Sequence, residues 1–279
     1  MDSEIIQIDV DSVLKQRAPS YYRWMPRFVV RAIERLICQD ELNDLLLKVG
    51  TRKGVEAAQK ALELLDITIH VNGLEHLNDG QRYIFASNHP LGGLDGLALI
   101  SELGQHYNGH IRFLVNDILM AVKPLVNIFL PVNKYGRQSR EAAEDIEREY
   151  ASENQMLTFP AGMCSRQKSR RAPVADLKWQ KAVVSLSTRY HRDVVPIYFE
   201  GTNSKCFYRW ARWRERLGIK FNAEMILLPR EMIKSRGKTF NIYIGEPVPY
   251  DTLNAKQPLN EAARLRDIVY TLKNQYKQP

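Results

Sequence analysis

The stretch Asn88-His-Pro-Leu-Gly-Gly-Leu-Asp-Gly96 gathers the residue types that could do acid–base chemistry. It follows a short apolar run, Tyr83–Ser87, and leads into an apolar helical pattern, so His89 stands at a strand exit and Asp95 near a helix start. An imidazole titrates near neutrality and can take a proton from a hydroxyl. The carboxylate can accept the N–H on the other side of the ring, fixing the tautomer and favouring the imidazolium formed during reaction. Gly92 and Gly93 let the backbone curl so that residues six apart can meet, and they leave room for a substrate. The same residues also make an ordinary loop, with Asn-His-Pro and Gly-Gly-x-Asp-Gly as turn formers and Asp95 as an N-cap. Composition alone leaves both readings open.

Other chemistry is thinner. The three cysteines, Cys38, Cys164 and Cys206, are widely separated and form no CxxC, which argues against a disulfide framework and for reduced thiols. Cys164 has no base at motif spacing and reads as a buried or spectator thiol. The 279 residues, 44% hydrophobic, suffice for a proper core. A net charge of +8 favours anionic partners such as nucleic acid, lipid headgroups or acidic carrier proteins, without choosing among them. The acidic opening MDSEIIQIDVDS lacks the pattern of a secretory signal. The nearest approach to a spanning segment, Phe113 to Val132, is interrupted by Asn116, Asp117, Lys123 and Asn127.

The elements that must position the histidine loop follow from periodicity. Short runs rich in β-branched and aromatic residues predict strands at Ile67–Val71, Tyr83–Ser87, Ile111–Val115, Gln155–Phe159, Val194–Phe199 and Phe240–Ile244. Helices are predicted between them, at about 95–104, 138–151, 177–190, 203–216 and 260–276. This alternation implies an α/β fold whose largely parallel or mixed sheet is flanked by helices. Functional loops then gather beyond the strand C-terminal ends. Before residue 66 the pattern is helical. Residues 41–65 read as one or two helices broken near Gly50–Gly54. From Pro26 onward, Phe28, Val29, Ala32, Ile33, Leu36 and Ile37 share a face opposite Arg27, Arg31 and Arg35, which suits either packing on the body or a lipid interface.

Ser87-Asn-His-Pro-Leu-Gly-Gly-Leu-Asp-Gly96 resembles the first motif of the glycerolipid (lysophospholipid) acyltransferases, in which Asn-His is followed by a few residues and an Asp. The likeness continues in order over about residues 66–250. Val71–Leu77 resembles the strand and turn that precede the motif. Leu130-Pro-Val-Asn-Lys-Tyr-Gly-Arg137 resembles the second block, Phe159-Pro-Ala-Gly-Met-Cys-Ser-Arg166 the third, and Val195-Pro-Ile-Tyr198 the fourth. The resemblance implies transfer of a fatty acyl group, from acyl-CoA or acyl carrier protein as co-substrate, to a hydroxyl of a lyso-lipid. His89 would be the base, Asp95 would orient it, and neither a bound cofactor, a metal nor a covalent acyl-enzyme would be needed. It further implies that Asn88, Gly92, Gly93, Lys134, Arg137, Phe159, Pro160, Gly162, Ser165 and Arg166 contact substrate. The implied organisation is an N-terminal helical segment, 1–65, before an α/β acyltransferase domain, 66–279.

Two departures bear on the acceptor. Five residues separate His89 from Asp95 where the family commonly has four, a pattern similar to the branch acting on ornithine or glycine lipids. Ala161 stands where the family has Glu and Cys164 where it usually has Arg; a thiol cannot replace a planar fork of donors on phosphate. Two basic clusters remain, Arg166-Gln-Lys-Ser-Arg-Arg171 and Arg209-Trp-Ala-Arg-Trp-Arg-Glu-Arg216. They suit a bilayer interface, stacking on single-stranded nucleic acid or a merely solvated face, and the first could also dock an acidic carrier protein. The expectation is a cytoplasmic enzyme, peripheral on the inner face of the membrane, with no nucleic-acid partner; the non-enzyme alternative is a basic membrane- or nucleic-acid-binding protein whose His89 loop is inert.

Overall fold

The computed structural model describes residues 8–17, 19–132, 140–219 and 222–276. The chain begins with helices α1 (Val10–Arg17), α2 (Pro19–Tyr22), α3 (Arg27–Ile37), α4 (Gln39–Val49) and α5 (Gly54–Leu64). The break foreseen near Gly50–Gly54 is the α4–α5 junction, where Gly50 and Gly54 both take positive φ. Then follow β1 (Thr68–Asn72), β2 (Tyr83–Ser87), α6 (Gly93–His106), β3 (Ile111–Asn116), β4 (Phe129–Val132), α7 (Arg140–Ala151), β5 (Gln155–Thr158), α8 (Ala182–Tyr190), β6 (Asp193–Glu200), α9 (Lys205–Arg216), α10 (Leu228–Ile233), β7 (Thr239–Ile244) and α11 (Pro258–Gln275).

The seven strands form one sheet in the order β1-β7-β6-β2-β5-β3-β4. Every neighbouring pair is parallel except β6–β7. The sheet is therefore mixed, with helices on its faces. β2 lies at its centre and all five of its residues are buried, as a strand covered on both faces requires. One face packs against a core shared by α4, α5 and α6, including Leu45, Val49, Ala58, Leu62, Ala98 and Leu99. The other packs against α8 and α11 through Val183, Val184, Leu265 and Val269.

Most predicted boundaries move by a residue or two, and two differences are larger. β4 was absent from the predicted strands; it contains Pro131 and sits at the sheet edge, the place where a residue without an N–H is tolerated. The helix predicted from 177 begins only at Ala182, because Gln180 donates its backbone N–H to the Pro160 carbonyl and so belongs to a loop.

α3 buries Ile37 of the expected apolar face together with Val30, which that face did not include, and contacts α10 and the 223–227 turn, while Phe28 and Ala32 of the expected face are exposed. Tyr21, Trp24 and Phe28, on or beside α2 and α3, remain exposed. Among the described residues, no helix is long and apolar enough to cross a membrane.

Candidate active site

β2 and β5 are parallel neighbours with Ala86 opposite Thr158. That register carries the His89 loop and the loop opening at Phe159 out of the same edge of the sheet. The strand order places them where connections run to opposite sides. β2 leads through α6 to β3, whereas β5 crosses through α8 to β6 on β2's other flank. Such a switch point, at the carboxyl ends of parallel strands, is the place where α/β sheets bind ligands.

Gly92 turns the chain at φ 85°, a left-handed conformation that favours glycine, and α6 starts at the next residue. A Cβ there would also lie 2.7 Å from Leu228 of α10 and 3.1 Å from the Cys164 sulfur. Asp95 falls at the third helical position. Its Oδ2 accepts N–H bonds from Leu91 at 2.9 Å and Gly92 at 3.3 Å, and its Oδ1 accepts from Gly96 at 2.9 Å. The N–H groups of the first turn have no helix carbonyl to meet, and a carboxylate reaching back to them is stabilised there. Asp95 is fully buried, and its Oδ2 lies 3.1 Å from His89 Nδ1.

The His89 side chain retains 15% exposure, so the ring lies at the mouth of the loop and not sealed beneath it. Phe159 stacks on it with centroids 3.8 Å apart and planes 21° from parallel. Phe113 meets Phe159 edge-on. Burial works against the imidazolium, yet the Asp95 carboxylate and the Cys164 sulfur beside the ring outweigh it and hold His89 well above the usual histidine range. Spacing offered Cys164 no base; folding brings the thiol, itself fully buried, against His89.

A second buried carboxylate, absent from the motif residues, supports the loop from behind. Asp176 Oδ1 accepts the backbone N–H of His89 at 3.1 Å and the Ser165 hydroxyl at 2.5 Å, while Oδ2 accepts Trp179 Nε1–H at 2.9 Å. The Asp176 N–H donates to the Tyr270 hydroxyl on α11. Burial pushes the Asp176 carboxyl upward, against the bonds from Ser165, Trp179 and His89. The Ser165 N–H donates to the His89 carbonyl at 2.7 Å, joining the two loops directly. The spacing of Asp176 and Trp179 is the one sequence signal that could have marked this residue.

The remaining expected substrate contacts divide. Gly93 is exposed at the start of α6, and Gly162 is exposed at a turn with φ 63° closed by its N–H to the Phe159 carbonyl. Pro160 is buried. Asn88 is buried too, and its side-chain amide pairs with both the N–H and the carbonyl of Phe199, extending the β2–β6 pairing by one step. Arg166 is buried at 5% exposure, with its guanidinium on Glu224 at 2.8 Å and on the Cys164 carbonyl at 3.1 Å. Glu224 also pairs with Arg214 of α9 at 2.8 Å. For Asn88 and Arg166, both expected to bind substrate, internal partners engage the polar side-chain groups. Lys134 and Arg137 lie outside the described residues.

An imidazole–carboxylate pair at the exit of the central parallel strand of a mixed α/β sheet is an arrangement that can take a proton from a nucleophile. The family comes from comparison with known proteins. A family model described as Acyltransferase matches residues 12–278, and the chain belongs to that family and is an acyltransferase. It is similar to the lyso-glycine lipid O-acyltransferase of Phocaeicola vulgatus, 44% identical over 272 residues that make up 97% of each protein. It is also similar to the lyso-glycine lipid O-acyltransferase of Bacteroides thetaiotaomicron, 41% identical over 272 residues, 97% of this chain and 99% of that one. Among solved structures it is similar to the 1-acyl-sn-glycerophosphate (LPA) acyltransferase PlsC of Thermotoga maritima, with a TM-score of 0.47 and 15% identity, covering 90% of this chain and 94% of that one.

Proposed function

We propose that this enzyme esterifies the hydroxyl of a lyso-lipid of the acyl-amino-acid class, a lyso-glycine lipid, using a fatty acyl thioester. The observation that carries the chemistry is the 3.1 Å contact between His89 Nδ1 and Asp95 Oδ2 beneath a partly open ring. With Nδ1–H directed at Asp95, the other ring nitrogen is free of its proton and accepts that of the acceptor hydroxyl. The alkoxide adds to the thioester carbonyl. The tetrahedral oxyanion is stabilised by the open first-turn amides of α6 near Gly93, at the positive end of the helix dipole. Collapse expels the donor thiolate, which takes the proton back from His89, so ester and free thiol leave with the base restored.

The acceptor class rests on the two relatives of that name, which match nearly the whole chain. It is also favoured by Arg166. A phosphate-bearing acceptor would call on a free guanidinium in this block, and the one present is buried against Glu224. Lipid acceptors imply work at a membrane surface, for which exposed Tyr21, Trp24 and Phe28 beside the arginines of α3 supply an interfacial face.

The test is to incubate purified enzyme with a fatty acyl thioester and a panel of lyso-lipids, including lyso-glycine lipid and lysophosphatidate, and to identify the products by mass. Lyso-glycine lipid should be the preferred acceptor. His89→Ala should lower turnover by at least about 10²–10⁴-fold while the protein stays folded. Turnover by the alanine variant at the wild-type rate would dispose of the mechanism, and preference for lysophosphatidate would dispose of the acceptor assignment.

A further inference from the structure

The two basic clusters, some forty residues apart in the chain, meet in space. Arg166 and Ala175 pair as an isolated antiparallel bridge and close the intervening residues into a loop. The side chain of Gln167 accepts a 2.7 Å bond from Arg212 of α9, which ties that loop to the helix. Between them opens a cleft of about 480 Å³ lined by Lys168, Arg170, Arg209, Arg212, Arg216 and Trp213. Its acidic lining residue is Glu215 alone, which lies 3.5 Å from Arg214. Among the described residues, Lys168, Arg170, Arg209 and Arg216 make no ion pair, and Trp213 is 64% exposed. Like charges held together repel, so a concavity lined by five cations favours an anion carrying several negative charges.

We infer that this cleft binds the 3′-phosphate, 5′-diphosphate and adenine of an acyl-CoA donor. The inference rests on the acyl-transfer reading above and assigns the donor. Arginines suit phosphates through their paired, fixed N–H donors, and an exposed indole offers the face on which a purine stacks. The volume falls in the range of small-molecule sites, about 300–1,000 Å³. A carrier protein would instead need a broad contact of about 800 Å² on each partner. A glycine-type acceptor, with a single carboxylate, is overmatched by five cations, and a bilayer meets a convex face.

The position also fits. The Ser165 N–H touches the His89 carbonyl. Lys168 and Arg170, three and five residues further on, therefore lie within about 11 and 18 Å of that point even if the chain is fully extended. A nucleotide bound there leaves the flexible pantetheine arm to carry the thioester back to His89.

Calorimetric titration with 3′,5′-ADP, CoA and dephospho-CoA tests the site without turnover, in the wild type and in His89→Ala, so a failed acyl-transfer reading would leave it measurable. Both proteins should bind 3′,5′-ADP, and loss of the 3′-phosphate should weaken binding. Trp213→Leu should weaken it about 5–100-fold, the range of one base–aromatic stack. The double variant Arg170→Gln/Arg209→Gln, at exposed positions whose removal leaves the core untouched, should raise KM for acyl-CoA at least about tenfold with kcat and the acceptor KM unchanged, because each lost phosphate contact acts on binding alone. No binding of 3′,5′-ADP, or variants that bind it as the wild type does, would overturn the inference. So would a raised KM for acyl carrier protein with acyl-CoA unaffected, or loss of binding to anionic vesicles with acyl-CoA unaffected.

Discussion

Replacing Asp95 by Asn separates charge from geometry at this site. Oδ2 faces three donors, the Nδ1–H of His89 and the N–H groups of Leu91 and Gly92, whereas Oδ1 faces only Gly96. An amide nitrogen at the Oδ2 position would oppose three donors and at Oδ1 only one, so the Asn carbonyl should occupy the Oδ2 position. His89 then keeps its partner and its tautomer and loses the negative charge. At 3.1 Å and an effective dielectric constant of about 20, that charge is worth about 5 kcal/mol to the imidazolium. The retained neutral hydrogen bond recovers part of it, since charge-assisted bonds are roughly twice as strong as neutral ones. A net loss of about 3–4 kcal/mol corresponds to a fall in kcat of about 10²–10³-fold.

The pH dependence carries a second mark. The base must be neutral, so activity rises with pH through the elevated pKa of His89 and then levels off. Without the Asp95 charge that pKa drops, and half-maximal activity should move to lower pH, leaving the variant least impaired in acid. Release of free thiol followed with a chromogenic reagent across pH gives both quantities. A variant that keeps a third of wild-type kcat, or whose acid limb stays in place, would refute the proposed pairing.

Three other perturbations probe the support. Asp176→Ala strands the His89 N–H, the Ser165 hydroxyl and the Trp179 Nε1–H, at about 1–3 kcal/mol each; thermal unfolding should fall by several degrees and kcat with it, and an unshifted Tm would deny Asp176 its role. Arg166→Met leaves Glu224 with Arg214 alone and should cost about 3 kcal/mol in chemical denaturation, as for a broken buried ion pair. The KM for lyso-lipid should stay unchanged, whereas a raised KM at normal stability would restore Arg166 to the acceptor site. Gly92→Ala places a methyl group 2.7 Å from Leu228 at φ 85°, a strain of about 1–3 kcal/mol; displacement of the α6 start should lower kcat at least about tenfold, and full activity would show the turn to be adaptable.

The features legible from sequence are those whose causes are local. Strand–helix alternation predicts the sheet, and the strand Tyr83–Ser87 is found unchanged. His89 and Asp95 could be paired in advance because a glycine turn and a helix start lie between them. Distant partners decide what stayed hidden. Arg166 has the type and position of a headgroup contact, but Glu224, 58 residues later, neutralises it in the interior. Asn88 likewise reads as a substrate amide, and its two bonds to Phe199, 111 residues away, could not be read from the sequence. Cys164 has no base nearby in the chain, and only the β2–β5 register brings it to His89. β4 was obscured by Pro131, a residue disfavoured in strands but tolerated at the sheet edge that β4 occupies.

The elevated pKa of His89 also explains why so many bonds converge on its loop. A histidine whose folded pKa exceeds its unfolded one contributes stability fully below the ordinary histidine range and loses it as pH rises through the raised value. The proposed mechanism needs the neutral ring, so catalysis by it begins where that contribution ends. The ion pair therefore cannot be what holds the loop in the working enzyme. The bonds that can are the ones indifferent to the ring's charge: the Leu91, Gly92 and Gly96 N–H groups on Asp95, the His89 N–H and Ser165 hydroxyl on Asp176, and the Asn88 amide on Phe199. Two buried carboxylates, one in front of the imidazole and one behind its backbone, thus divide the task. In the proposed mechanism Asp95 meets the charge that comes and goes, and Asp176 keeps the loop still while it does.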